Sequence, residues 1–76
     1  MTDHVISVLP VLGGWSVHTP LTAQPLMFLS GGRAEEKARS LAETCARLGQ
    51  DARVMIHDRR STLIGTFHYA AESAEA

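Results

Sequence analysis

Residues 33–48 read RAEEKARSLAETCARL, and this stretch decides the fold. Ala34, Ala38, Leu41, Cys45 and Leu48 recur at alternating steps of four and three, with Ala42 and Ala46 beside them. That spacing lines them up as one stripe on an α-helix. Glu35, Glu36, Lys37, Arg39, Glu43 and Arg47 fall on the opposite face. Glu35 with Arg39, and Glu43 with Arg47, stand at the i,i+4 spacing that contributes roughly 0.2–0.5 kcal/mol per pair. Ser30, or one of Gly31 and Gly32, can cap the start, and Gly49 supplies a stop. Because the stripe is mostly alanine, the helix can lie close to a sheet.

Strand signals flank the helix on both sides. His4 to Leu9 is rich in β-branched residues and is closed by Pro10. Ile6 and Val8 point to one face of it, and Val5, Ser7 and Leu9 to the other. Gly13 and Gly14 supply a turn, and Gly14 to Thr19 reads as a second strand. Trp15, Val17 and Thr19 share one of its faces; Ser16 and His18 share the other. Pro20 ends it. Leu26 to Leu29, just after Pro25, reads as a third strand at an edge.

Beyond the helix, Ala52 to His57 is a strand, Asp58 to Ser61 a four-residue turn, and Thr62 to Phe67 the returning strand. A four-residue turn sets His57 opposite Thr62 and Val54 opposite Gly65. In that register Val54, Ile56, Leu63 and Phe67 face the helix, while Met55 and Ile64 face away. Residues 70–76 are small and acidic and read as a frayed tail after an ordered 4–69. The expectation is one α+β domain over residues 1–76: a four- or five-stranded antiparallel sheet with one helix packed on one face.

Composition narrows the function. The 76 residues are 45% hydrophobic and 20% charged, too apolar for intrinsic disorder. A net charge of -1 leaves no overall basic excess for nucleic acid. Cys45 is the one cysteine, so no internal disulfide forms, which fits a reducing compartment. The start has neither a basic segment nor a long apolar run, so no signal peptide is expected. No apolar run approaches the roughly 20 residues that span a bilayer. The expected location is cytoplasmic, with no membrane partner.

Certain positions also form a pattern: the strand after His4, then Gly14-Trp15-Ser16-Val17 and Phe28, then Ala34, Ala38, Arg39, Leu41 and Ala42. Val54-Met55-Ile56-His57, Leu63 and Tyr69 complete it. In these the chain, over roughly His4 to Tyr69, resembles the small bacterial domain-of-unknown-function family 2188. It departs from that family's habits at Gly31, where a threonine cap is common, at Ser61, where a glycine is usual, and at Ala70 after Tyr69. The resemblance implies a fold and brings no activity. In topology alone the chain is similar to HicB-type antitoxins.

No constellation of catalytic groups stands out, and an enzyme is not expected. His4, His18, His57 and His68 lack metal-ligand spacing, although His4 and His18 could meet across the first hairpin. Cys45 lies on the helix stripe and is expected to be buried rather than nucleophilic. Trp15 reads as a core anchor. Gly31-Gly32 before the helix fits a turn and cap better than a phosphate loop. No metal or cofactor is expected.

A single helix leaves the second sheet face bare, and Val5, Leu9, Met55 and Ile64 are the expected contact residues there. The leading expectation is a protein-interaction module that self-associates as a homodimer through this face or an edge strand, or binds another protein. The second is a nucleic-acid-binding or antitoxin-like regulator using Arg53, Arg59 and Arg60.

Overall fold

A computed structural model describes residues 4–72 of the chain. Its elements are β1 (His4–Val11), β2 (Gly14–His18), β3 (Leu26–Phe28), α1 (Gly31–Arg47), β4 (Ala52–His57) and β5 (Leu63–Tyr69). The strands form one sheet in the order β3-β2-β1-β4-β5, with α1 on one face. The α+β architecture is the expected one. The sheet, however, is mixed rather than wholly antiparallel, because β1 and β4 pair parallel. β3 is antiparallel to β2 and so runs the same way as β1. The 17 residues of α1 then carry the chain back to the end where β1 began. A strand restarting there and docking beside β1 must run parallel to it.

The helix stripe is buried at Ala34, Ala38, Ala42, Cys45 and Ala46, against Ile6, Val8, Val17, Ala52, Val54 and Ile56. Leu41 sits at its margin, and Leu48 is exposed as the C-cap residue, not part of the stripe. Trp15, Leu26, Phe28 and Tyr69 close the rim of the core. Ser30 is the N-cap: its hydroxyl accepts from the Arg33 N–H at 3.1 Å. At the other end Gly49 has φ +84°. The Gly49 N–H donates to the Ala46 carbonyl and the Gln50 N–H to the Cys45 carbonyl, the paired bonds of a left-handed helix stop. Of the two expected ion pairs, Glu35–Arg39 closes at 2.9 Å, while Glu43 and Arg47 are both exposed.

Pro10 does not end β1, which runs on to Val11 with Pro10 opposite Trp15. The direction of the backbone bonds explains this. The His4 N–H donates to the Asp51 carbonyl at 3.0 Å, so the peptide groups of His4, Ile6, Val8 and position 10 face β4. The β1–β4 ladder stops at Val8 opposite Ile56, so the proline nitrogen forfeits no ladder bond.

The last hairpin also departs from expectation. The Asp58 N–H donates to the Thr62 carbonyl and the Ser61 N–H to the Asp58 carbonyl, both at 2.9 Å. The loop is therefore three residues long, with Ser61 left-handed at φ +62°. His57 then lies opposite Leu63, and a bulge shifts the register so that Ile56 meets Gly65 and Val54 meets Phe67. An odd-length loop on its own would turn Phe67 and Tyr69 to the wrong face. The bulge restores them to the helix side. Residues 71 and 72 are tied down rather than frayed: the Ala71 N–H reaches Asp51 Oδ1 at 2.7 Å and the Glu72 N–H reaches the Ala46 carbonyl at 2.9 Å. The rest of the expected tail lies outside the described residues.

Candidate functional site

The bare sheet face carries Val5, Leu9 and Met55, as the strand alternation requires. Val5 is exposed; Leu9 and Met55 are half-buried. Met55 lies opposite Ser7, and Val5 opposite Arg53, which in turn lies opposite His68. Polar residues thus interrupt the apolar ones. Ile64 does not join them. The bulge turns it toward the helix side, where it lines a shallow depression with Glu35, Ile56, Gly65 and Phe67. Leu63, opposite His57, takes its place, and the expected facing of these two residues is corrected.

At the β5 end of the sheet three large apolar side chains are exposed, Ile64 and Phe67 on the helix side and Leu63 on the bare face. Leu63 is 46% exposed, Ile64 63% and Phe67 38%. β5 has β4 on one side and, among the described residues, no strand on the other. Its seven residues, LIGTFHY, include no proline and no charged residue. Backbone direction can be followed across the sheet from the His4–Asp51 bond. The peptide groups of Ala52, Val54 and Ile56 point to β5, so those of Tyr69, Phe67 and Gly65 point back to β4. The peptide groups of Thr66 and His68 therefore face outward along the open edge. From the helix, Glu35 borders this end and Arg39 reaches over it, its guanidinium 4.2 Å from the Phe67 ring centroid.

The three arginines do not form one patch. Arg53 is on the bare face near the start of β4, about 13 Å along the strand from His57. Arg59 lies past the strand's other end and extends over Trp15, 5.0 Å from the ring centroid. Arg60 is exposed in the turn. Trp15 is wedged beneath Arg59 and beside Gly31, where a methyl group would stand 3.0 Å from the indole. It is a core anchor with one face under a cation, a pairing between residues 44 apart that local patterning does not reveal.

The histidines are dispersed. His4 lies opposite buried Ala52 and His18 opposite Ser7, so the two do not meet. His57 Nδ1 donates to the Val8 carbonyl at 3.0 Å, where the β1–β4 ladder ends. His18 Nε2 donates to the Ser16 hydroxyl at 3.1 Å, which donates in turn to the Leu9 carbonyl at 3.4 Å. Among the described residues no group of three or more histidine, cysteine or acidic side chains could hold a metal. Cys45 is buried in the core. No helix among the described residues is long and apolar enough to cross a membrane.

Comparison of the chain with protein-family models, with curated proteins and with solved structures returned no match. The surface is therefore read from its own geometry.

Proposed function

We propose that the protein is a small non-enzymatic interaction module that self-associates as a homodimer in a bacterial cytoplasm. The observation that carries this reading is the β5 edge: an uncharged strand of seven residues whose Thr66 and His68 peptide groups face outward, with three exposed large apolar side chains. Soluble proteins usually shield such an edge with charge, proline or a covering element. Burial of Cys45 and the shallowness of the surface hollows favour binding over catalysis. Membership of the family 2188 is part of the same proposal and rests on the motif positions. Light scattering across a hundredfold range of protein concentration tests it. The expected result is a mass that rises from monomer to dimer; a monomer throughout overturns it.

The second reading, a nucleic-acid or antitoxin-like regulatory binder, gains one observation: the basic turn has an aromatic ring beside it, in the Arg59–Trp15 stack. It loses Arg53, which stands apart. Binding to an RNA or DNA oligonucleotide that weakens steeply with salt, and weakens again in Arg60→Ala, would favour it.

A further inference from the structure

We infer that the second copy docks on β5 itself, antiparallel, so that two five-stranded sheets join into one of ten strands. This deepens the self-association reading and rests on it. Three features single out the occupant and its direction.

First, the outward peptide groups of Thr66 and His68 form a short row of unpaired donors and acceptors, which another strand satisfies directly. A two-fold axis at Thr66 sets this residue opposite the partner's Thr66, in the bonding position for an antiparallel pair.

Second, the same axis sets Gly65 opposite the partner's Phe67. The Phe67 ring of each copy already leans over its own Gly65, Cε2 lying 3.5 Å from where a Cβ would be. Pairing brings the two rings together above the two glycines, where no side chain at position 65 obstructs them.

Third, charge selects the direction. Leu63 to Tyr69 is neutral, exposed Arg60 precedes it and exposed Glu72 follows it, while Arg59 is turned over Trp15 and the Asp58 carboxylate is bonded within the loop. Antiparallel docking carries Arg60 of each copy toward the Glu72 end of the other, whereas parallel docking would set the two arginines together. The strand pair alone is small beside a standard interface of about 1,600 Å². The dimer is therefore weak and dependent on concentration.

The deciding variant is Thr66→Pro. The Thr66 N–H faces the open edge, so a proline there removes a donor from the dimer and none from the β4–β5 ladder. Thr66→Val keeps the N–H and serves as control. The expected result is at least a tenfold weaker dimer for Thr66→Pro at unchanged circular dichroism, with Thr66→Val dimerising like the parent. Hydrogen exchange on the unaltered protein gives a second readout that needs no variant: the Thr66 and His68 amides should slow at high concentration. A dimer in which those amides stay fast, or in which a folded Thr66→Pro pairs normally, overturns β5 docking but spares self-association. A monomer at every concentration overturns both.

Discussion

The two edges of the sheet are built on opposite plans. β3 has three residues, follows Pro25, and is held so close to β2 that a Cβ on Gly14 would collide with the Phe28 carbonyl. β5 has seven residues, no proline and no charge, and the bulge near its start turns Ile64 toward the helix side without covering it. Short strands and prolines are how proteins blunt an edge; β3 is short, and Pro25 stands immediately before it. One end of the sheet is thus short and tightly packed, and the other long and neutral.

The largest effect is expected at the β3 edge. A Cβ on Gly14 would collide with the Phe28 carbonyl, a backbone atom that cannot turn aside. Gly14→Ala must therefore part β2 from β3 and loosen Leu26 and Phe28 from the rim of the core. Overpacking of this kind suggests a loss of about 3 kcal/mol, measured by urea unfolding. Self-association through the far edge should persist wherever the variant is folded. A cost under about 1 kcal/mol would show that the β2–β3 contact yields easily, and the contrast between the edges would shrink.

Much of this fold was legible in residue patterns. The alanine stripe from Ala34 to Ala46 set the helix, and β-branched runs set β1 and β4. What escaped was whatever depends on how elements meet. Alternation says which residues share a face and nothing about the partner strand, so the parallel β1–β4 pair was invisible. Pro10 read as a terminator because its tolerance depends on where β4 ends. The register of β5 was missed because the left-handed loop residue is Ser61 and not a glycine, so no local signal marked a three-residue loop. With the loop misjudged, Ile64 was assigned to the bare face. Val5, Leu9 and Met55 were placed there correctly, since their alternation needs no turn to fix it. The β5 edge could have been flagged from its neutral run LIGTFHY alone.

The loop that sets β5 offers an intermediate effect. Asp58 Oδ1 accepts from the Arg60 N–H at 2.8 Å and the Thr62 N–H at 3.0 Å. Those two bonds hold the chain as it enters β5. Asp58→Ala removes both and should destabilise the fold by about 1.5 kcal/mol. Because the loop also positions the edge strand, self-association should weaken with it, unlike in Gly14→Ala. Equal stability with unchanged self-association would show that the bulge, and not the turn, fixes the β5 register.

The smallest effect should stabilise. Ser61 holds φ +62°, a backbone region that costs a residue bearing a Cβ roughly 1–2 kcal/mol. Ser61→Gly removes that strain, and the greater freedom of glycine in the unfolded chain takes back roughly 0.5–1 kcal/mol. The Ser61 N–H bond to the Asp58 carbonyl is a backbone bond and survives the change. A net gain of about 0.5 kcal/mol corresponds to a rise of roughly 2–4 °C in Tm for a domain of this size. The substitution touches no outward-facing group of β5, so the self-association constant should stay the same while Tm rises. A rise in both would mean that the strained loop also limits how the edge is presented. A fall in Tm would mean that the serine hydroxyl contributes more to the loop than its left-handed backbone costs.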